Sequence, residues 1–153
     1  MNDKKQVNLH HARGEDQANV LKKILQDGVC PFCREHLFKY HTRPILKEST
    51  WWMLTENFVP YDGARIHLLA ICTKHVETIT ELPMEAHAEL LSLFSDFVQE
   101  QSIKGGTIVY RFGDMDMTGS TVQHLHAQMI VGGSRKESPE KIRTKIGYKY
   151  ISK

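Results

Sequence analysis

The spacing of hydrophobic positions along the chain predicts two amphipathic helices. In residues 16–27 the large apolar side chains recur at steps of three and four residues, at Val20, Leu21, Ile24 and Leu25. Gly28 follows this segment and is a typical helix stop. The same spacing over about 83–101 predicts the longest helix of the chain, with Pro83 in its first turn and one buried face.

Four shorter runs of apolar and β-branched residues predict strands. They lie at 51–55, 66–72, 107–112 and 122–131. Residues 57–63 have the Asn, Pro, Asp and Gly content of a turn, which separates the first two runs. Residues 34–48 are charged and His-rich, and predict a loop or a short helix. The order of these elements predicts an α+β domain with an antiparallel sheet and one long helix.

The composition fits one globular domain. Of the 153 residues, 41% are hydrophobic and 25% are charged, which excludes a disordered chain. The formal net charge of +2 is too small to indicate nucleic acid or a membrane surface as a partner. No apolar run reaches the ~20 residues of a membrane helix, and the first residues lack the apolar stretch of a signal peptide. We therefore expect a mobile N-terminal segment at 1–15, a domain at 16–133 and a basic tail at 134–153.

The run at 122–131 carries the candidate chemistry. Alternate side chains of a strand point to opposite faces, so one face is an ordinary core face with Leu125, Ala127, Met129 and Val131. His124, His126 and Gln128 stand in a row on the other face, which is either a polar surface, a set of hydrogen-bonded core residues or a reactive site. The small residues of the turn at 118–121 leave backbone N–H groups free to hold an anion. An imidazole row beside an anion site favours nucleophilic attack at phosphorus.

The segment His-Leu-His-Ala-Gln at 124–128 resembles the signature of the histidine-triad superfamily, with its last His replaced by Gln. This His-x-His-x-Gln form is similar to the galactose-1-phosphate uridylyltransferases and the diadenosine tetraphosphate phosphorylases. Residues 57–61 and 67–76 resemble earlier segments of the family, with Cys72 where the family usually has Pro. The resemblance covers about 28–133, and implies a histidine-triad-like sheet and a homodimer in which that sheet continues across the interface.

The resemblance also implies a nucleotidyl transferase or hydrolase that splits a nucleoside phosphoanhydride or phosphoester. His126 matches the nucleophile that forms a covalent nucleotidyl-histidine, and Gln128 matches a contact to a non-bridging phosphate oxygen. Ser120 and Thr121 occupy the anion-binding turn, and Asn57 is the candidate ribose contact. Since an amide cannot donate a proton near pH 7 as His can, Gln128 favours transfer to phosphate or another nucleotide over hydrolysis.

The pair Cys30 and Cys33 admits three interpretations: buried structural thiols, a glutaredoxin-like redox dithiol, or half of a tetrahedral zinc site. Spacing alone offers Cys72 with His75 as the other half of a zinc site. The resemblance instead supplies His75 and His124. We favour zinc held by Cys30, Cys33, His75 and His124, because this metal would fix the strand that carries the nucleophile.

The remaining residues with chemical potential have less specific patterns. Five histidines have no partner pattern and are predicted to be solvated: His10, His11, His36, His41 and His87. His67 lies in an apolar run and is expected to be packed and hydrogen-bonded. The odd number of three cysteines indicates a reducing, cytoplasmic location. Two other functions stay open at this point, a nucleotide-binding or sensing module with little turnover and a thiol oxidoreductase.

Overall fold

The computed structural model describes residues 6–152, and this part of the chain contains three α-helices and five strands. The helices are Glu15–Asp27 (α1), Arg34–Tyr40 (α2) and Met84–Glu100 (α3). The strands are Ile45–Glu48 (β1), Trp52–Glu56 (β2), Ile66–Cys72 (β3), Thr107–Arg111 (β4) and His126–Val131 (β5). No helix of the described part is long and apolar enough to cross a membrane.

The two amphipathic helices form where the hydrophobic spacing predicts them. α1 ends at Gly28, whose φ of 66° lies in the left-handed region that glycine adopts without strain. Its backbone N–H closes the last turn on the carbonyl of Ile24 at 3.0 Å. α3 begins directly after Pro83 and buries one face, at Ala86, Leu90, Leu93 and Phe94.

The strands form one antiparallel sheet in the order β1-β2-β3-β5-β4. β3 and β5 are neighbours near its centre, and they pair from Ile66 opposite Val131 to Ile71 opposite His126. β4 and β1 are the two edges. The predicted α+β class with an antiparallel sheet and one long helix is confirmed.

Helices cover both faces of this sheet. α3 packs on one face, in a cluster that includes Trp52, Leu68 and Ala127. On the other face, Leu37 of α2 packs against sheet residues such as Leu69, and α1 contributes to an adjacent cluster. His126 and Gln128 alternate with the residues of the α3 face, so their side chains lie on the side of α1 and α2.

The structure differs from the sequence prediction in two segments. Residues 34–48 form α2 and then β1, an edge strand whose residues alternate between half-buried and exposed. β5 begins at His126 rather than at 122, because residues 122–125 find partners outside the ladder. Val122 bridges Val7, and the Leu125 N–H donates to the Val76 carbonyl at 2.8 Å.

Both ends of the described chain lie against the domain. Residues 1–5 of the predicted mobile segment, and Lys153 of the tail, are outside the described residues. Val7 is fully buried, and Gly147 of the tail bridges Thr118. The ring of His11 lies within hydrogen-bonding distance of Tyr148, with Nε2 and the phenolic oxygen 2.6 Å apart. The two chain ends therefore meet beside the turn that precedes β5.

Candidate functional site

A cavity of about 330 Å³ lies between α1 and the sheet. Five residues that the sequence predicts for binding and catalysis line it: Asn57, Ser120, Thr121, His126 and Gln128. Part of its wall is apolar, with Leu21 and Ile24 from α1, Phe32, Phe58 and Leu69. An apolar wall next to a few convergent polar groups is typical of a binding site for an organic ligand.

His126 presents an unprotonated ring nitrogen to this cavity. Its Nδ1–H donates to the carbonyl of His124 at 2.8 Å, which leaves the lone pair on Nε2. Phe32 packs edge-on against the ring, with the two centroids 5.1 Å apart. Burial lowers the pKa of His126 to about 4, so the ring is neutral near pH 7. A neutral imidazole with a free Nε2 can act as a nucleophile.

His67 of β3 fixes the orientation of the Gln128 amide. The Nδ1 atom of His67 accepts the backbone N–H of Tyr61 at 3.1 Å, and burial lowers the pKa of His67 to about 4. The single proton of this neutral ring is therefore on Nε2, which donates to Gln128 Oε1 at 2.9 Å. The amide nitrogen of Gln128 is left to donate into the cavity. His67 is packed and hydrogen-bonded, as its place in an apolar run predicts.

Asn57 also leaves its amide hydrogens to the cavity. Its Oδ1 accepts the Val59 N–H at 3.0 Å, which orients the side chain after β2. Its Nδ2 lies 3.2 Å from His67 Nε2. Because that ring nitrogen already carries a proton, the contact is not a hydrogen bond, and the Nδ2 hydrogens remain available to a ligand.

Ser120 and Thr121 lie in the turn before β5, at the cavity wall. The Ser120 hydroxyl donates to the Val122 carbonyl at 2.8 Å, so it shapes the turn rather than offering a free proton. Gly119 lies against the tail at this turn. A Cβ at Gly119 would lie 2.5 Å from the Lys145 carbonyl oxygen, so only glycine allows so close an approach.

Two thiol and two imidazole side chains form a cluster near the start of β5, the strand that carries His126 and Gln128. They are Cys30, Cys33, His75 and His124, and their ligand atoms all lie within 4.8 Å of one another. Cys30 Sγ is 3.4 Å from His124 Nδ1, and Cys33 Sγ is 3.3 Å from His75 Nδ1. A tetrahedral zinc ion with ordinary bond lengths separates its sulfur and nitrogen ligands by about 3.5 Å. The donor set and its spacing therefore fit this ion.

The environment of His124 also suits a metal ligand. Its Nε2–H donates to the Cys72 carbonyl at 2.8 Å, which holds the ring and turns Nδ1 toward the thiols. Metal-binding histidines typically donate their other N–H in this way. The Cys72 side chain is buried in the core under α3 and is not part of the cluster. The structure thus gathers the ligand set favoured from the sequence and not the one that includes Cys72.

The thiols themselves do not have the properties of a redox dithiol. Burial raises the pKa of Cys30. Burial is also the main cause that raises the pKa of Cys33 to about 12, and the neighbouring thiol of Cys30 adds to it. Reactive dithiols need a lowered thiol pKa. The pair precedes α2 but follows the turn after α1, whereas a thioredoxin-like motif follows a strand. These observations count against a thiol oxidoreductase.

The prediction that the unpatterned histidines are solvated is wrong for His11 and His41. Only 2% of His11 and 3% of His41 is exposed, and both line the cavity. His11 Nδ1 lies 2.6 Å from the Ser120 carbonyl, and His41 Nε2 lies 2.7 Å from Thr55 Oγ1. The hydrogen-bond partners of these two rings lie 109 and 14 residues away in sequence. The composition around each histidine therefore does not indicate that it is buried. The other three are exposed or half-buried: His10, His36 and His87.

Four cations that the sequence did not single out also line the cavity: Arg13, Arg111, Arg143 and Lys145. The guanidinium of Arg13 lies over the Tyr61 ring, 4.3 Å from its centroid. Arg111 lies beside the same ring, with Nη2 3.4 Å from its hydroxyl oxygen. These residues are scattered in sequence and match no motif, so only the fold brings them together.

The fold is that of known histidine-triad proteins. A hypothetical histidine triad nucleotide-binding protein from Sulfolobus tokodaii is similar (TM-score 0.53, 18% identity, 79% of this chain and 81% of that chain). So is one from Candida albicans (TM-score 0.51, 15% identity, 86% and 81%). A zinc-bound histidine triad family protein from Mycobacterium smegmatis matches too (TM-score 0.51, 18% identity, 73% and 82%). No family model and no curated protein matches the chain. The predicted histidine-triad-like fold is confirmed.

Proposed function

We propose that this chain, which has the histidine-triad fold, is a nucleotidyl transferase or hydrolase that cleaves a nucleoside phosphoanhydride or phosphoester. The reaction passes through a nucleotidyl-His126 intermediate. The observation that carries this proposal is the pair formed by His126 and Gln128. One offers an unprotonated Nε2 to the cavity, and the other offers an amide N–H whose direction is fixed by His67.

The reaction has two displacement steps at the α-phosphorus. First, the Nε2 lone pair of His126 forms a bond to phosphorus, and the bond to the leaving oxygen breaks, so that oxygen departs with the electron pair. Then an oxygen of inorganic phosphate, of another nucleotide or of water attacks, and the electron pair of the N–P bond returns to Nε2. When water attacks, its proton is released to the solvent. The Gln128 amide donates to a non-bridging oxygen in both steps. The apolar wall at Leu21 and Phe32 holds the base.

We also propose that zinc occupies the cluster of Cys30, Cys33, His75 and His124. With four protein ligands and no open position, the ion has a structural role. It ties the turn before α2 and the end of β3 to the segment that leads into β5. His126 follows His124 by two residues, so this tie positions the nucleophile. A site built on thiolates fits the reducing, cytoplasmic location that we expect.

A product analysis tests the proposed function. The protein is incubated with a panel of nucleotides and dinucleoside polyphosphates, with and without inorganic phosphate, and the products are identified by mass. Cleavage at the α-phosphorus is the expected result, with added phosphate raising turnover. Nanomolar nucleotide binding without any product would instead identify a binding or sensing module.

Replacement of Gln128 by His is expected to shift the products toward hydrolysis by about tenfold or more, since a well-placed general acid or base contributes about a hundredfold and upward. An imidazole can protonate a departing group and activate water, whereas the amide cannot. Phosphoramidate cleavage should rise in the same variant, because its nitrogen must be protonated to leave. The measurement is the ratio of transfer to hydrolysis at fixed substrate and phosphate.

The exposed Gln99 of α3 provides the control Gln99→His, which should leave this ratio unchanged. A wild-type protein that already hydrolyses phosphoramidates and ignores every acceptor would contradict the transferase assignment.

We propose that two chains pair through the β4 edge of the sheet. β4 has no strand on its outer side in the described chain, and Ile108 on it is 45% exposed. Light scattering should give about twice the 17.6 kDa of one chain for the wild type, and one chain for Ile108→Lys. Leu46 is 42% exposed on the opposite edge strand, so Leu46→Lys is the matched control. A dimer that survives Ile108→Lys but not Leu46→Lys would place the interface at β1.

A further inference from the structure

Arg111 stands directly beside the proposed nucleophile. In the pairing of β4 with β5, Arg111 is opposite His126. Directly opposite residues of an antiparallel pair project from the same face, with their Cβ atoms about 5 Å apart. Arg13, from the N-terminal segment before α1, lines the same cavity. The cavity thus contains two guanidinium groups in addition to His126 and Gln128, the residues assigned to the attacked phosphate.

Neither guanidinium has an anionic partner within the described residues. No carboxylate of residues 6–152 makes an ion pair with Arg13 or Arg111, and no Asp or Glu lines the cavity. In the same range, the Nε atoms of both arginines are buried without a hydrogen-bond partner. Both side chains are half-buried, so water hydrates their charge only in part and a bound anion would compensate it.

The hydrogen bonds that these arginines do make are to neutral oxygens. Arg13 Nη2 donates to the Val59 carbonyl at 2.6 Å. Arg111 Nη2 donates to the Lys145 carbonyl at 2.6 Å and to Thr144 Oγ1 at 2.8 Å. These bonds fix the position of both groups and leave their charge uncompensated. A guanidinium that is held in place but electrically unpaired is prepared for a ligand with several anionic oxygens.

Tyr61 links both arginines to the hydrogen-bonded pair of His67 and Gln128. Its ring lies under the Arg13 guanidinium, and its hydroxyl lies beside Arg111. The same ring stacks on His67, with centroids 4.7 Å apart, and His67 donates to Gln128. Arg13, Arg111, Tyr61 and Gln128 all line the same cavity, so the two positive groups belong to the site of the amide assigned to the attacked phosphate.

We propose that Arg13 and Arg111 form a second phosphate subsite, which binds a phosphate group other than the one that His126 attacks. This inference rests on the proposed function and narrows its substrates to those that bring at least two phosphate groups into the site. The second phosphate is either attached, as the next group of a nucleoside diphosphate or dinucleoside polyphosphate, or free, as inorganic phosphate that acts as the acceptor. A nucleoside monoester with an uncharged leaving group leaves the subsite empty.

Calorimetric titration of the 153-residue chain tests the subsite without turnover. The four nucleoside monophosphates first identify the base. The matching monophosphate, its α,β-methylene diphosphate analogue and pyrophosphate are then titrated into the wild type, Arg13→Gln and Lys22→Gln. Arg13 is the primary target because Arg111 also contacts the tail. Lys22 is exposed on α1 and outside the cavity, so its variant removes the same charge elsewhere. Arg111→Lys, which keeps the charge but loses the planar fork, is the second variant.

The wild type should bind the diphosphate analogue at least about tenfold more tightly than the monophosphate, the gain expected from a charge-assisted hydrogen bond. This preference should fall to about threefold or less in Arg13→Gln and decrease in Arg111→Lys. It should persist in Lys22→Gln, and the two arginine variants should lose less affinity for the monophosphate than for the diphosphate analogue. If the subsite holds free phosphate, the analogue gains nothing, and inorganic phosphate binds the monophosphate complex only when Arg13 is present.

Two results would overturn the subsite while leaving the proposed function intact. One is equal binding of monophosphate and analogue with no binding of inorganic phosphate. The other is a preference that Arg13→Gln and Lys22→Gln reduce equally, which would reflect general charge. If no nucleotide binds at all, the proposed function fails. The titration with pyrophosphate then tests the subsite by itself. Binding that is lost in Arg13→Gln supports the subsite, and binding that does not depend on Arg13 refutes it.

Discussion

His126→Ala should lose at least about a thousandfold in turnover while still binding nucleotide, because the bond to phosphorus forms at His126 Nε2 and binding uses other groups. Turnover and nucleotide affinity are measured on the same preparation. His36 is half-buried outside the cavity, so His36→Ala serves as the control and should retain full activity.

The covalent intermediate gives a second readout of the same step. Wild-type protein quenched during turnover should carry an acid-labile nucleotidyl group on His126, located by peptide mass analysis, and His126→Ala should carry none. An active His126→Ala variant, or an adduct on another residue, would refute the mechanism. Loss of activity together with loss of binding would indicate a damaged cavity, so the binding measurement decides how the kinetic result is interpreted.

Loss of the metal is expected to have the largest effect on stability. One zinc per chain should be found in the purified protein, and Cys30→Ser or strong chelation should remove it. The free energy of unfolding should then fall by several kcal/mol, because the ion connects segments that are far apart in sequence. Metal analysis and urea unfolding measure the two quantities.

The matched control for the metal is Cys72→Ser. Cys72 is the remaining cysteine, and its side chain lies in the core under α3 rather than in the cluster. The variant loses some core packing but should retain one zinc per chain. Full zinc in His124→Ala together with loss of zinc in Cys72→Ser would show that the other ligand set, with Cys72 and His75, is the correct one.

The sequence predicted those parts of the fold whose signal is local. α1 and α3 have their apolar residues at helical spacing, with Gly28 and Pro83 marking an end and a start. β1 gave no such signal, because it is a short edge strand, half-exposed and charged at Lys47 and Glu48. The start of β5 was misplaced because Val122 pairs with the N-terminal segment, and no local pattern encodes a partner so far away.

The candidate site divides in the same way. His124, His126 and Gln128 could be found because a compact motif carries them on one strand and the turn before it. Arg13 and Arg111 could not, because each is a single cation in an ordinary context. Arg13 precedes α1 and Arg111 ends β4, and only the packing of these two elements around Tyr61 brings them into one cavity. Whether an arginine is buried, and whether it has an anionic partner, depends on the tertiary structure and is not visible in the sequence around it.

The meeting of the two chain ends has a consequence for how the molecule opens. The contact between His11 and Tyr148 joins positions 137 residues apart. A contact of this separation costs loop-closure entropy, which is smaller once the chain between the two residues is already ordered. Most of the tail is exposed, so its local opening costs less free energy than separation of β3 from β5. We therefore expect the exposed part of the tail, at the rim of the cavity, to open locally while the sheet stays folded.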